Sequence, residues 1–187
     1  MRVITGSAKG RRLKTLEGYE VRPTSDMVKE AVFSIIRFDL EGASVLDLFC
    51  GSGQLGIEAL SGGAKSCRFV DRSKASLEVT RENVVHCGLE GAATMSLSDG
   101  VDFIRNARLA FDIIFLDPPY GKGLIEKVLP FAGEKIADGG IAVCEHEKGL
   151  VLPEEFGKLK RTKVYRYGKT ELTVFRAQAP DKQETAE

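Results

Sequence analysis

The feature that most restricts the fold is an alternation of short apolar runs with helical patterns between residues 43 and 144. Helical patterns cover residues 54–61, 73–86, 99–107 and 122–133. Strands that alternate with helices pair in parallel through right-handed crossovers, which gives a doubly wound α/β sheet. The five predicted parallel strands are Ser44–Leu48, Ser66–Val70, Ala92–Leu97, Phe111–Leu116 and Gly139–Cys144.

The C-terminal part departs from this alternation. Residues Thr162–Tyr167 and Glu171–Ala177 flank Gly168-Lys169, a pattern that predicts two antiparallel strands joined by a tight turn. The expected fold is therefore α/β, with a mostly parallel, seven-stranded, Rossmann-like sheet that ends in an antiparallel hairpin.

Residues 1–40 form a predicted extension that is too small to fold alone. Short strands at Val3–Thr5 and Arg12–Thr15 predict a β-hairpin, and a helix follows with Thr24 or Ser25 as its N-cap. We expect the main domain at residues 41–178 and a disordered polar tail at residues 179–187. The predicted buried face of the helix is formed by Val28, Ala31, Val32, Ile35 and Ile36.

The net charge of zero conceals two basic clusters. Residues 1–14 contain five basic and no acidic side chains, and residues 158–176 contain seven basic side chains against one acid. Such asymmetry favours a polyanionic partner over ordinary solvated strand faces. The N-terminal cluster comprises Arg2, Lys9, Arg11, Arg12 and Lys14.

Several classes of protein are disfavoured by what the sequence lacks. No apolar run approaches the ~18 residues of a membrane span, and the N-terminus has no secretory signal, so we expect no membrane association and a cytoplasmic location. The four cysteines contain no C-x-x-C pair. We therefore expect neither a disulfide framework nor a metal site, and we assign His86 and His146 to a helix surface and a strand end.

The first apolar run continues into Asp47-Leu48-Phe49-Cys50-Gly51-Ser52-Gly53-Gln54-Leu55-Gly56. Gly51, Gly53 and Gly56 match the G-x-G-x-x-G pattern of dinucleotide-binding loops, which by itself is weak evidence. Asp47 favours another ligand, because a carboxylate beside the loop opposes a pyrophosphate but attracts the ammonium and sulfonium of S-adenosylmethionine.

Acidic residues also end the second and third predicted strands. Asp71 can accept hydrogen bonds from ribose hydroxyls, and Asp99 lies where an adenine amine would be recognised. Each could instead only cap the following helix. The predicted cofactor-binding residues are Asp47, Phe49, Cys50, Gly51, Ser52, Gly53, Asp71, Arg72, Ser98, Asp99, Gly100 and Asp117.

The fourth strand ends in Asp117-Pro118-Pro119-Tyr120. Two prolines stop the strand and fix the backbone in the crevice where doubly wound sheets bind ligands. Asp117 and the carbonyl of Pro118 can accept the two hydrogens of an exocyclic base amine and direct its lone pair at the sulfonium methyl. Tyr120 offers a face on which an extruded base can stack. These four residues are the predicted catalytic residues.

The chain resembles the RsmD-type family of bacterial 16S ribosomal RNA guanine-N2 methyltransferases, which are class I S-adenosylmethionine-dependent enzymes. The resemblance rests on the two motifs above and on segments that flank them. It departs at Gln54, where many relatives carry a different residue. The flanking segments are Arg2–Gly6, Gly10–Leu13, Val21–Asp26, Lys29–Phe33, Phe69–Asp71 and Tyr167–Thr170.

The resemblance implies methylation of one guanine amine in 16S rRNA, on the small ribosomal subunit or its assembly intermediate, by a monomer. The predicted phosphate contacts fix register rather than read sequence. They are Arg2, Lys9, Arg11, Arg12, Lys14, Arg22 and Thr24.

Four other functions are compatible with parts of this pattern. Adenine-N6 methylation of DNA uses the same kind of DPPY site, but the chain shows no added target-recognition region. Methylation of a protein glutamine conflicts with the basic clusters, and a nucleotide-dependent oxidoreductase conflicts with Asp47. A non-catalytic RNA-binding assembly factor would not need Asp117 and Tyr120.

Overall fold

The computed structural model describes residues 1–16 and 26–178 and consists of one mixed sheet with helices on both faces. Thr24, Ser25 and Arg22 lie outside the described residues, as does the tail predicted for residues 179–187. The helices are α1 (Asp26–Ile35), α2 (Gln54–Ser61), α3 (Lys74–Cys87), α4 (Gly100–Asn106) and α5 (Leu124–Lys135).

The sheet has the strand order β3-β2-β1-β4-β5-β8-β7-β6. Neighbours pair in parallel from β3 to β5, and the strands after β5 pair antiparallel. The expected doubly wound α/β fold is thus confirmed. The strands are β1 (Ser44–Leu48), β2 (Ser66–Asp71), β3 (Ala93–Leu97), β4 (Phe111–Leu116), β5 (Ile136–Glu147), β6 (Glu155–Phe156), β7 (Leu159–Tyr167) and β8 (Thr170–Ala177).

The sheet has eight strands rather than the seven expected. The additional strand, β6, pairs Glu155 with Lys160 and Phe156 with Leu159 at the edge of the sheet. Two residues are too few to produce an alternating pattern, so no periodicity predicted this strand. Strand β5 is also longer than predicted: it begins at Ile136, which pairs with Phe111, and the register then shifts before Ile141 pairs with Ile113.

The N-terminal hairpin is reduced to one antiparallel bridge between Arg2 and Arg12. Main-chain hydrogen bonds flank this bridge, since Val3 N–H donates to Arg11 O at 2.9 Å and Gly10 N–H donates to Val3 O at 2.8 Å. The N–H groups of Ile4 and Lys14 instead donate to side chains of the helices, Glu58 on α2 and Asn83 on α3. The antiparallel pairing expected of the hairpin is therefore present but short.

Helices α1, α2 and α3 cover one face of the sheet, and α4 and α5 cover the other. Val28, Val32 and Ile36 are buried as expected, whereas Ala31 and Ile35 are only half-buried. Val3, Ala8 and Leu13 belong to the same hydrophobic cluster as the α1–α3 face. A continuous hydrophobic core thus crosses the predicted boundary near residue 40 between the N-terminal extension and the main domain. The division of the chain at this boundary stays a sequence-based prediction.

Candidate active site

The predicted site residues lie along one edge of the sheet, where β3, β2, β1 and β4 end side by side. Register pairs Leu48 with Val70 and with Leu116, so the segments that follow these three strands start at the same level. Ligands of doubly wound sheets bind at this edge. The fold therefore brings the glycine loop, Asp71, Asp99 and Asp117 to a common crevice.

The glycine loop turns sharply between β1 and α2. Phe49 has a φ of 74°, a left-handed conformation that is costly for a non-glycine residue. The N–H groups of Phe49 and Cys50 both donate to Val70 O, at 3.0 and 2.9 Å, which holds this conformation. Gly53 also has a positive φ, and a Cβ there would lie 2.6 Å from Thr80 Cγ2. The loop thus requires glycine where α3 approaches it.

Asp47 is buried beneath this loop, and its Oδ2 accepts a hydrogen bond from Gly56 N–H at 2.9 Å. Burial raises the pKa of Asp47 to about 7, the bond from Gly56 opposes the shift, and the charge of Asp71 adds to it. Gly56 is required here, because a Cβ would lie 2.3 Å from the Phe69 ring. Asp47 therefore shapes the start of α2, and its contact with a cofactor stays a prediction.

Asp71 is half-buried at the end of β2 and joins two segments. Its Oδ2 accepts from Gly51 N–H at 3.0 Å and its Oδ1 from Ser73 N–H at 2.8 Å. A carboxylate has about four lone pairs, so both oxygens retain capacity for ligand hydroxyls. The adjacent Arg72 is exposed.

The segment after β3 contains Asp99, for which the sequence left two roles open: recognition of adenine and capping of the following helix. Asp99 caps α4, since its Oδ1 accepts from Val101 N–H and Asp102 N–H at 2.8 and 3.2 Å. Ser98 lies beside Asp71, to whose carbonyl its N–H donates at 3.1 Å. Gly100 packs against Phe49, whose ring lies 2.5 Å from where a Cβ would be. The helix cap is therefore observed, and recognition of adenine stays a prediction.

The Asp117–Tyr120 segment leaves β4 with Asp117 half-buried, Pro118 buried, and Pro119 and Tyr120 exposed. The Tyr120 hydroxyl lies 3.3 Å from Glu145 Oε1 and 3.2 Å from Thr170 Oγ1. Partial burial raises the pKa of Tyr120 to about 12. The hydrogen bond with Thr170 opposes this shift, and the negative charges of Glu145 and Asp117 add to it. The contacts with Glu145 on β5 and Thr170 on β8 set the orientation of the ring.

A small cleft lies beside this segment. Its walls come from residues 118–126 and from the end of β5, where Glu147 Oε1 accepts a hydrogen bond from Gly121 N–H at 3.0 Å. The cleft therefore adjoins the prolines and Tyr120. It lies on the β5 side of β4, whereas the glycine loop lies on the β1 side.

Four side chains that support these loops were missed from the sequence. Thr80 and Asn83, on α3, bond to the glycine loop, and Glu145 and Thr170 bond to Tyr120. A polar residue on a predicted helix or strand gives no signal that it is buried, because its partners come from distant parts of the chain. Only the tertiary contacts identify these residues.

All five basic side chains of the N-terminal cluster are exposed, as phosphate contacts would require. The other two predicted phosphate contacts, Arg22 and Thr24, lie outside the described residues. Arg11 donates to His86 O, and Lys14 pairs with Glu82 at 2.7 Å. The other three residues carry no ion pair within residues 1–16 and 26–178; they are Arg2, Lys9 and Arg12.

Cysteine and histidine chemistry contributes little at this edge. All four cysteines are free thiols, and burial raises the pKa of Cys50 and Cys67 well above the ordinary value. His86 is exposed on α3, and His146 is buried at the end of β5, as predicted. In the described part of the chain no group of three or more potential ligand side chains could hold a metal ion, and no helix is long and apolar enough to cross a membrane.

Comparison with known proteins places this arrangement in a family. The family described as Conserved hypothetical protein 95 matches residues 1–176. The chain belongs to this family. YlbH of Bacillus subtilis, provisionally an rRNA methyltransferase, is 39% identical over 181 residues, which cover 94% of this chain and 98% of YlbH.

Two further similar proteins support the same family assignment. Ribosomal RNA small subunit methyltransferase D of Haemophilus influenzae is 33% identical over 168 residues, which cover 86% of each chain. The solved structure of YhhF from Escherichia coli, provisionally a methyltransferase, is 28% identical with a TM-score of 0.86, and the match covers 96% of this chain and 98% of YhhF. These similarities confirm the expected RsmD-type family and the S-adenosylmethionine-dependent methyltransferase class.

Proposed function

We propose that this protein transfers a methyl group from S-adenosylmethionine to the exocyclic N2 amine of a guanine in 16S ribosomal RNA. One observation carries the proposal: Asp117 and its prolines leave β4 directly beside the glycine loop that leaves β1, since Leu48 and Leu116 are paired. An amine held at Asp117 would face a ligand held by the loop. The name of the Haemophilus influenzae relative supports ribosomal RNA of the small subunit as the substrate.

The residues of the loop fit a cationic cofactor. A Cβ at Gly51 would have no neighbour within 4 Å, so the backbone at this position is open to a ligand. Asp71 and Asp99 supply negative charge at this edge, and Asp47 adds to it when ionised. No basic side chain belongs to the predicted loop, which suits an ammonium and a sulfonium better than a pyrophosphate. Bound there, S-adenosylmethionine supplies an electrophilic methyl group.

The chain's own residues would act by positioning and electrostatics. Asp117 Oδ and the carbonyl of Pro118 would each accept one hydrogen of the guanine amine, which turns its lone pair out of conjugation and towards the cofactor. Two prolines hold this carbonyl in place. Tyr120 would stack on the base while Glu145 and Thr170 fix its ring.

The exposed N-terminal cluster would supply the phosphate contacts. Arg2, Lys9 and Arg12 carry charge that is not offset by an ion pair within the described ranges. Phosphate contacts of this type provide affinity and register without reading sequence. The proposal further includes Arg22 and Thr24, a monomeric enzyme, a cytoplasmic location, and a substrate that is the small subunit or an assembly intermediate.

The deciding experiment measures transfer of labelled methyl to small subunits that lack the native modification, followed by nucleoside analysis. We expect label in N2-methylguanosine. Label in N6-methyladenine of a DNA substrate, or no transfer to any nucleic acid, would contradict the proposal.

Asp117→Asn tests the role of the carboxylate, since it keeps the size but lowers the charge that favours the amine. We expect kcat to fall roughly 10²–10³-fold with S-adenosylhomocysteine affinity nearly unchanged. Asp112→Asn is the matched control, because Asp112 lies on β4, the strand that Asp117 follows. Within the described residues its side chain accepts one hydrogen bond, from Ser44 N–H. Equal kcat in the two variants would remove Asp117 from the chemistry.

A further inference from the structure

Helix α3 presents two buried polar side chains to the glycine loop. Thr80 Oγ1 donates to Gly51 O at 2.9 Å, and Asn83 Nδ2 donates to Ser52 O at 2.9 Å. The two side chains are three residues apart and therefore lie on one helix face. Two consecutive carbonyls of the loop are thus held by α3.

Asn83 makes a second set of contacts, to the main chain of the N-terminal segment, residues 1–16. Its Oδ1 accepts from Lys14 N–H at 2.8 Å, and its Nδ2 donates to Lys14 O at 3.0 Å. The amide therefore satisfies Lys14 as a neighbouring strand would. The Lys14 side chain takes no part, because it extends into solvent and pairs with Glu82.

The amide of Asn83 is the group that joins the two partners. It is 1% exposed, and a buried amide is costly unless it is hydrogen-bonded. Both of its donors and one of its acceptor positions are used by Lys14 and Ser52. A shift of Ser52 would therefore strain or break the bonds to Lys14, and a shift of Lys14 would disturb the loop.

We propose that Asn83 is a positioning residue that couples the cofactor loop, residues 50–53, to the N-terminal segment that carries the basic cluster. Binding of the cofactor against the loop fixes Ser52, and Asn83 transmits this order to Lys14. By linkage, RNA bound to the N-terminal segment and cofactor bound to the loop then strengthen each other equally. The inference rests on the proposed function for the identity of the two ligands.

Hydrogen exchange of the full chain, with and without S-adenosylhomocysteine, tests the coupling directly. In the wild type we expect amide exchange to slow several-fold both in residues 50–53 and in residues 11–16. In Asn83→Ala, at a saturating ligand concentration, we expect the loop to remain protected while the response at residues 11–16 is lost. A purely structural role would raise exchange at residues 11–16 in both states and leave the ligand-dependent difference intact.

A matched pair of variants tests the same bridge without changing α3. Lys14→Pro removes the N–H that donates to Asn83 Oδ1 and leaves only the weaker single bond to the carbonyl of residue 14, whereas Lys14→Gln removes only the charge and the pair with Glu82. We expect Lys14→Pro to lose the response at residues 11–16 and Lys14→Gln to keep it. Thermal unfolding identifies folded variants, and this pair replaces Asn83→Ala if that protein does not fold.

The possible results separate the two proposals. Protection of residues 50–53 without any change at residues 11–16 in the wild type would overturn the coupling alone. Absence of protection at residues 50–53 would contradict the cofactor site and hence the proposed function as well. A Lys14→Pro protein that responds like Lys14→Gln would also overturn the role of Asn83.

Reciprocal affinities give an independent measurement. RNA should tighten S-adenosylhomocysteine binding by the same factor by which S-adenosylhomocysteine tightens RNA binding, within the roughly 5–150-fold range of such couplings. We expect this factor in the wild type and in Lys14→Gln, and a factor close to one in Lys14→Pro. A factor close to one in the wild type would contradict the coupling even where both ligands bind.

Discussion

At the scale of single residues, Asp47 has the most unusual environment of the predicted site. Its side chain is buried, and its nearest polar partner is the N–H of Gly56 rather than a cation. Loss of solvation outweighs this bond, so the pKa is raised to about 7. A carboxyl group tuned in this way can respond to a positively charged ligand near neutral pH.

The raised pKa of Asp47 predicts a specific pH dependence of stability. A carboxyl whose folded-state pKa exceeds its unfolded value of 3.8 contributes stability that is complete below that value and lost as pH rises through about 7. We therefore expect Asp47→Asn, which can still accept from Gly56, to stabilise the ligand-free protein at pH 8 by on the order of 1–4 kcal/mol. The gain should shrink towards zero near pH 4.

Urea unfolding from pH 4 to pH 8 measures this effect, with Asp112→Asn as a control. Asp112 also accepts a main-chain hydrogen bond, from Ser44 N–H, but it is exposed. We expect no comparable pH-dependent gain from the control. A difference between Asp47→Asn and wild type that is constant across this range would show that folding does not raise the pKa of Asp47.

At the scale of secondary-structure elements, a buried ion pair fastens the N-terminal segment to α1 and α2. Lys29 Nζ lies 3.0 Å from Glu58 Oε1, and both side chains are fully buried. Glu58 also accepts from Ile4 N–H at 2.8 Å, and Lys29 donates to Arg2 O. Gly6 adds a close approach, since a Cβ there would lie 1.6 Å from Ser61 O. The extension is thus joined to the element that begins at the glycine loop.

Breaking this pair should be costly. Lys29→Met leaves the Glu58 carboxylate buried without its cation, and we expect the free energy of unfolding to fall by about 3–5 kcal/mol. Lys14→Met is the matched control, because it removes the exposed pair with Glu82 and should cost about 0–1 kcal/mol. Chemical denaturation at pH 7 measures both. Similar losses in the two variants would mean that burial does not govern the contribution of Lys29.

At the scale of the whole molecule, the two basic clusters differ in how far they are neutralised. In the C-terminal cluster, five of the seven basic side chains pair with acids. In the N-terminal cluster, one of five does so within the described residues. The paired C-terminal residues are Lys158, Lys160, Arg161, Arg166 and Arg176.

This difference predicts which cluster binds RNA. A cation that is already paired gains less from a phosphate, so we expect the triple change of Arg2, Lys9 and Arg12 to Ser to weaken RNA binding and to reduce the slope of log affinity against log salt by about 2. The matched triple change of Lys158, Lys160 and Arg161 to Ser should alter the slope by less than about 1. Filter binding over a salt series measures both slopes. A larger effect of the C-terminal change would place the RNA on the hairpin β7–β8.

The sequence by itself determined the architecture. Strand and helix periods, together with residues of restricted conformation, are local properties, and they were sufficient for β1 to β4 and for α2 and α3. They also placed Asp47 and Asp117 at the carboxyl ends of β1 and β4, whereas the roles of these residues stay predictions. Ser73 illustrates this, since it caps α3 through Ser76 N–H as its position predicted. Topology follows from such local signals because parallel strands linked by helices have few alternatives.

Tertiary structure decided the features in which a polar group takes its partner from far along the chain. Lys29, Glu58 and Asn83 resemble solvent-exposed residues of amphipathic helices until the helices pack. The partners of Asn83 come from two other segments, Lys14 from the N-terminal segment and Ser52 from the glycine loop. The same holds for Tyr120 with Glu145 and Thr170, and for the salt bridges that neutralise the C-terminal cluster. Burial and charge pairing depend on which surfaces meet, and this information is not contained in the period of any one segment.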